Sequence, residues 1–348
     1  NNYISHTLSE NRLYIYVYGY RDKLDDILKF IFSHLNNFTV KKKVFETCVS
    51  TLKKKLQNSV YNSPLSKSID MFNELIHTKY YTNDEILSVI DSITRREVRS
   101  LKILDGIETI VYVGGNIDKN DALDIINMIP KTNAMVPKET NIKLIHEQHF
   151  LSDKLVNIND VNSATNIIYE LGKYDKTSNL NWIKVPCMAD LLYNIIENKF
   201  FTQLRTKEQI GYIASTNIHK IGTTIEHVYI SFAVQSAIKN GAYIEERINA
   251  FLSSFLLYMD KISDSKLQKY VKGAILPYKQ PYKTLNDKNS YFFSVISNGT
   301  FLYNLNELIQ KEFKMITKDD IVNFYRDNII NNKKKITISV DGHPNNKS

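Results

Sequence analysis

Residues 13–20, LYIYVYGY, alternate with a period of two. Leu13, Ile15 and Val17 fall on one side, and Tyr14, Tyr16, Tyr18 and Tyr20 on the other. That pattern predicts a strand with one aliphatic and one aromatic face. The period then changes. Ile27, Leu28, Phe30, Ile31 and Leu35 recur at helical spacing over 25–35, and Val44, Cys48, Leu52 and Leu56 step by four, so two amphipathic helices are expected. Shorter helices are expected over 66–77, 83–90 and 94–101, with Asn83 and the Thr94-x-x-Glu97 pattern as N-caps. A buried strand is expected at 107–113, and a helix capped by Asp118 through Met128.

The segment 130–149 loses periodicity and carries Pro130 and Pro137, so it reads as an inter-domain linker. Beyond it, strands are expected at 155–158 and 165–171. The helix over 183–201 has the strongest pattern in the chain, with Cys187, Met188, Leu191, Leu192, Ile195 and Ile196 in register and Pro186 near its first turn. Strands follow at 211–216 and 228–234, where Val228, Ile230, Phe232 and Val234 share a face. Helices are then expected over 243–259, 265–276, 284–297, 305–313 and 317–328, and a strand over 336–340 closes the pattern.

The two halves of this pattern repeat. Leu13, Ile15 and Val17 answer Val228, Ile230 and Phe232; Phe30 and Ile31 answer Phe251 and Leu252; Phe45 answers Leu267; Leu65 and Ile76 answer Leu285 and Ile296; Ile93-Thr94 answers Ile316-Thr317. Each half is strand, several helices, strand. The fold class expected is therefore α+β, with two similar domains, each a mostly antiparallel sheet against several helices. The assignment is 1–130 for the first domain, 131–149 for the linker, 150–342 for the second domain and 343–348 for a tail. The repeat is uneven. The first copy lacks counterparts of the strands over 155–171 and of the helix over 183–201, so roughly 65 residues are expected upstream and the chain reads as a piece of something larger.

Composition narrows the function classes. Of 348 residues, 43% are hydrophobic and 24% charged, the balance of a soluble globular protein, with a cytoplasmic setting favoured. No apolar run reaches the roughly 20 residues that span a bilayer, so no membrane partner is expected. The net charge of +8 is spread over Lys-rich clusters at 41–43, 53–55 and 333–335 without a stacking or base-reading motif, which argues against nucleic acid. Two cysteines, Cys48 and Cys187, are too few for a disulfide framework, and each lies on an apolar stripe, so buried free thiols are expected.

No catalytic constellation stands out. His146 and His149 are three apart but form neither H-E-x-x-H nor H-x-x-E-H, and the remaining histidines are isolated, so no metal site is expected in this chain. Gly114-Gly115-Asn116 lacks dinucleotide-binding spacing and reads as a strand-to-helix turn. What remains is LRTKEQIGY at 204–212, a charged stretch between two apolar elements. Arg205 leaves the end of a buried helix, and its guanidinium can fork onto carbonyl or carboxylate oxygens. Tyr212 stands just beyond Gly211 at the start of a strand. An arginine and a phenol that shared one cleft would be good donors to a peptide main chain or a developing oxyanion.

FFTQLRTKEQIGYIAS (200–215) resembles the signature in the C-terminal half of the insulinase-like (insulysin, pitrilysin) zinc metalloproteases. YVYGYRDK (16–23), GNID (115–118) and ITKDDIVNFY (316–325) also look like that family. The resemblance implies four homologous α+β domains. The two N-terminal ones hold zinc through H-x-x-E-H and a further Glu, and the two C-terminal ones, without metal, close a peptide-degrading chamber. This chain would be the third domain, incomplete at its N-terminus, and the whole fourth. By the resemblance Arg205 binds substrate main chain, Tyr212 positions the peptide and stabilises the oxyanion, and Phe201 lines the neighbouring wall. An Asn is expected after that Phe; Thr202 stands there instead, a substrate-binding position with shorter reach. Zinc belongs to the full-length enzyme, and no catalysis is expected from this chain alone. The expected partners are the N-terminal catalytic half and peptide substrates, with a homodimer left open. The alternative is a non-peptidase partner subunit, like respiratory-complex core proteins or the glycine-rich subunit of a processing peptidase. The poly-glycine loop of the latter is absent and the Arg–Tyr pair is present, both in favour of the protease reading.

Overall fold

The structure is a computed structural model, and it describes residues 3–9, 12–101, 107–129, 142–178, 180–280, 282–332 and 334–343. In chain order the elements are β1 (Tyr3–Ser9), β2 (Arg12–Tyr18), α1 (Leu24–Asn36), α2 (Lys42–Asn58), α3 (Pro64–Ile76), α4 (Asn83–Ile90), α5 (Arg95–Ser100) and α6 (Lys119–Asn127). Then come β3 (His149–Lys154), β4 (Ser163–Asp175), α7 (Lys184–Phe201), β5 (Ile213–Ile221), β6 (Ile225–Ser236), α8 (Gly241–Lys261) and α9 (Asp264–Lys279). The chain continues through α10 (Leu285–Ser297), α11 (Leu305–Met315), α12 (Lys318–Tyr325) and β7 (Lys335–Asp341).

The fold is mixed α and β with a mostly antiparallel main sheet. Two compact units emerge from the packing. One comprises residues 1–57, 83–138 and 285–293; the other comprises 58–82, 139–284 and 294–348. They interleave along the chain, since α3 groups with the second unit.

The second unit is built on a five-stranded sheet of order β3-β7-β4-β6-β5, antiparallel except for the β3–β7 pair. Strand alternation sorts its side chains to two faces. On one, Ile167, Val228, Ile230, Phe232 and Val234 pack with Leu191, Leu192, Phe200, Phe251 and Phe255 in a single core. On the other, Ile168, Tyr229, Ile336 and Ile338 meet Phe72 and Ile76 of α3. The face expected for Val228, Ile230, Phe232 and Val234 is therefore the helix-covered one. Gly222, at φ +125°, turns β5 into β6 where a Cβ would collide with the Ile225 carbonyl oxygen.

The first unit carries a hairpin, β1 on β2, with Tyr14 and Tyr16 edge-on to Phe293 at 6.0 and 5.0 Å. Helix starts follow the sequence signals. Asp118 accepts from the Asp121 N–H, and Thr94 with Glu97 forms the expected capping box. Thr317 with Asp320 forms the same device ahead of α12, at the position the repeat pairs with Thr94.

Three expectations are corrected, on two strands and on Cys48. Residues 107–113 form no strand and are not buried, because among the described residues no neighbouring strand supplies a ladder to that apolar run. Residues 155–158 are not a strand either. The pairing with β7 begins at His149 and ends at Lys154, and the chain then leaves the sheet with Leu155 N–H still donating to the Asp341 carbonyl at 2.8 Å. Of the linker expected over 131–149, residues 131–141 lie outside the described residues; past them Ile142 bridges His77, Lys143 N–H donates to the Ile76 carbonyl, and β3 starts at His149. Cys48 is exposed rather than buried, since Val44 and Leu52 of its stripe are exposed as well and α2 buries only Leu56.

Candidate functional site

The charged stretch at 202–212 begins where α7 ends. Helix α7 is apolar on nearly every side, burying Cys187, Met188, Leu191, Leu192, Ile195, Ile196 and Phe200 among others, so its end is anchored in the core. The helix then widens into a π-type turn over Thr202–Lys207. Its signature is the Glu208 N–H donating to the Gln203 carbonyl at 3.0 Å, followed by Ile210 N–H to Leu204 carbonyl at 3.1 Å. Such turns insert a residue and re-aim side chains. Leu204 remains fully buried while Arg205, Thr206 and Lys207 turn outward. Gln209 takes a left-handed conformation, φ 51°, which ends the helical path.

Five hydrogen bonds and one close backbone approach pin this corner. Glu208 accepts from Arg247 Nε at 2.8 Å and from an Arg247 terminal nitrogen at 3.2 Å, and from Gln203 Nε2 at 2.8 Å. Those donors, Arg247 first, hold the Glu208 carboxyl below its ordinary range. Ser236 Oγ donates to the buried Ile210 carbonyl at 2.5 Å. Gly211 runs so close to β6 that a Cβ would collide with the Gln235 carbonyl oxygen. Tyr212 follows, with its hydroxyl accepting from Gln235 Nε2.

The residues singled out from the sequence separate into two groups. Phe201 and Arg205 come together, with the guanidinium 5.0 Å from the centre of the Phe201 ring, a cation–π contact. Among the described residues Arg205 pairs with no carboxylate. Tyr212 is 51% exposed and held through Gln235, and no hydrogen bond joins it to Arg205. Thr202 is exposed at the mouth of a cavity of about 730 Å³ that Gln203, Lys207, Arg247 and Tyr258 also line. Neither Arg205 nor Tyr212 lines that cavity.

Sequence reasoning missed Gln203, Glu208, Gln235 and Arg247, which hold the corner. Glu208 and Gln203 lie inside the signature and read as ordinary solvated polar residues. Gln235 and Arg247 lie outside it, and no local signal marks either. Among the described residues no group of three His, Cys, Asp or Glu side chains could hold a metal ion. The donor set present therefore does not fit zinc, and no step through a metal is derived from these residues.

Comparison with known proteins bears on this corner. A family model described as the middle or third domain of peptidase M16 matches residues 2–89, and one described as PQQ synthase PqqF-like, C-terminal lobe domain 4, matches 191–293, which includes the corner. These matches support an insulinase-like protease. Within that family the chain corresponds to the C-terminal half. It is 23% identical over 361 residues to insulin-degrading enzyme-like 1, peroxisomal, of Arabidopsis thaliana, covering 98% of this chain and 36% of the relative. It is 24% identical over 335 residues to the insulin-degrading enzyme of Homo sapiens, covering 90% of this chain and 31% of that protein. This insulinase-like chain thus spans about a third of the length of these curated relatives. Among solved structures, that of pitrilysin superposes with a TM-score of 0.81 at 17% identity, covering 100% of this chain and 36% of the other. A protease from Helicobacter pylori superposes with a TM-score of 0.72 at 13% identity, covering 98% and 82%. No helix among the described residues is long and apolar enough to cross a membrane.

Proposed function

We propose that this chain is the non-catalytic C-terminal half of an insulinase-like zinc metalloendopeptidase. It closes a peptide-degrading chamber and presents Arg205 and Tyr212 to the substrate. Residues 1–130 then correspond to the third domain and 150–342 to the fourth. The zinc ligands belong to the N-terminal half, which is the chain's principal partner.

The observation that carries this reading is a corner with a buried underside and an exposed donor face. Leu204 and Ile210 are in the core, Glu208 is clamped by Arg247, and Arg205 and Tyr212 project outward from that frame. A corner serving only to connect α7 and β5 would need neither an outward guanidinium nor an outward phenol. Arg205 offers a planar, permanently charged fork to the carbonyl oxygens of an extended peptide. Tyr212 offers a neutral hydroxyl to an oxygen on which negative charge develops.

The experiment is cleavage of a quenched fluorescent peptide by the full-length gene product, with zinc and with a chelator. The reading expects cleavage that the chelator stops. It also expects Arg205→Ala to lower kcat/KM by about 10²-fold, the effect of removing one transition-state donor. Because Arg205 is exposed, the melting temperature should not change. A full-length protein that holds no zinc and cuts nothing would establish the partner-subunit alternative instead.

A further inference from the structure

We infer that Gln235 is a positioning residue for Tyr212, fixing which way its hydroxyl proton points. This rests on the proposed role of Tyr212 and extends it to a residue outside the signature.

Gln235 is only 1% exposed, a polar side chain inside the sheet near the end of β6. Its two amide ends have different partners. The oxygen accepts from the Leu65 N–H at 3.3 Å, and the nitrogen donates to Tyr212 Oη. Leu65 lies in the first turn of α3, where Pro64 begins the helix and Ser63 caps the Ser66 N–H. The Leu65 N–H is one of the donors that a helix start leaves without an intrahelical partner. It therefore needs an acceptor, and the Gln235 oxygen supplies it.

That need sets the orientation of the amide. With its oxygen committed to α3, Gln235 presents its nitrogen, a pure donor, to the phenol. The Tyr212 oxygen accepts that bond. Among the described residues its own proton has no acceptor, so it is left for solvent, where a peptide carbonyl would lie. A residue that accepted from Tyr212 would turn the proton inward and remove the donor. The approach is also built in. The Gln235 carbonyl lies where a Cβ on Gly211 would fall, so the glycine lets the chain carry Tyr212 against residue 235. One residue of β6 thus sets the path of the chain before Tyr212 through its backbone and the polarity of the hydroxyl through its side chain.

The test uses the zinc-loaded holoenzyme, a quenched fluorescent peptide and the variants Tyr212→Phe, Gln235→Glu, Gln235→Met and the double variants that combine Tyr212→Phe with each change at 235, with a melting temperature for each. A glutamate at 235 keeps the acceptor for Leu65 N–H, where the helix N-terminus favours an anion, and replaces the donor to Tyr212 with an acceptor. Tyr212→Phe and Gln235→Glu should each lower kcat about tenfold or more and change KM less than about twofold. The double variant with Gln235→Glu should be no slower than Tyr212→Phe within about twofold, because the two act as one unit. Gln235→Met, which leaves the phenol its proton but not its anchor, should lose less than Gln235→Glu. If Tyr212→Phe lowers kcat while Gln235→Glu does not, or if the double variant loses the product of the single losses, the positioning role is overturned and the reading of the corner survives. If Tyr212→Phe leaves kcat unchanged, the reading of the corner falls, and this inference with it. Should Gln235→Glu not fold, Gln235→Met decides. A kcat loss seen only when Tyr212 is present supports the inference, and an equal loss in the Tyr212→Phe background overturns it.

Discussion

The two compact units begin from the same sequence pattern and treat it differently. Leu13, Ile15 and Val17 of β2 alternate as Val228, Ile230 and Phe232 of β6 do. Yet Leu13 is 41% exposed, and Val228, Ile230 and Phe232 are all fully buried. Phe30 of α1 is 62% exposed; Phe251 of α8, its counterpart in the repeat, is 7% exposed and meets Phe200 edge-on at 5.3 Å. Among the described residues the first unit buries only Leu56, Ile90 and Ile125 of its hydrophobic side chains, whereas the second unit holds both hydrophobic clusters. The difference is the sheet. A five-stranded sheet offers helices a broad apolar platform on each face. A two-stranded hairpin offers a narrow one and is marginal by itself. Amphipathic helices gain most of their stability from the face they bury, so identical stripes have unequal worth.

The sharpest break of this comparison is a matched truncation. Phe251→Ala should destabilise the protein by about 3–5 kcal/mol, and Phe30→Ala by about 0.5 kcal/mol or less. Equal losses in thermal melting would show that the two units do not differ in packing as described. The next effect concerns the pinned corner of the second unit. Gly211→Ala forces a methyl group against the Gln235 carbonyl and should cost about 1–3 kcal/mol, with a fall in peptide cleavage as Tyr212 shifts. A protein that melts and cuts as before would mean that the close approach is relaxed in solution.

A smaller contrast lies in the ion pairs. Glu208 and Arg247 form a partly buried bidentate pair in the second unit, while Arg21 and Asp121 pair near the surface of the first. Because Arg247 depresses the Glu208 pKa, the carboxylate contributes stability that is present above the unfolded value of about 4.5 and is lost as pH falls through the lower folded value. Glu208→Gln should therefore lower the melting temperature at neutral pH and flatten its fall in acid, whereas Asp121→Asn should leave neutral stability nearly unchanged. Equal shifts from both would break the distinction. The mildest probe changes no contact. Cys48 is exposed in the first unit, and burial pushes the Cys187 thiol pKa far up in the second. An aromatic disulfide reagent should label one thiol rapidly in the native protein, and Cys48→Ser should abolish that phase. Two rapid thiols would mean that α7 is less sealed than the structure describes.

How much could be read beforehand follows the same division. Long helices with complete stripes were legible, α7 above all, and so were caps whose donor and acceptor lie three residues apart, as at Thr94 and Asp118. Signals contained within a few residues need no knowledge of neighbours. Strands were legible only where the sheet exists. Residues 107–113 carry a strand-like run without a ladder, whereas the pairing of β3 with β7 joins His149 to Ile336 across most of the second unit. Cys48 failed for the same reason, since a stripe marks a face suited to burial without saying what covers it. The candidate site divides likewise. Arg205, Tyr212 and Phe201 were visible because the signature is contiguous, and Gln235 was not, because its partners are Tyr212 and a backbone N–H at Leu65.

By itself, then, the sequence determined the kinds of elements, most of their boundaries, the internal repeat and the stretch that carries family character. All of these rest on local periodicity, capping and turn chemistry. Tertiary structure decided which apolar faces are buried, that α3 packs on the sheet of the second unit, and that the corner after α7 widens into a π-type turn pinned by Glu208 and Arg247. It also decided that the Gln235 amide turns its nitrogen toward Tyr212. These outcomes depend on groups distant in the chain competing for the same acceptors and the same apolar surface. No window of neighbouring residues contains that competition.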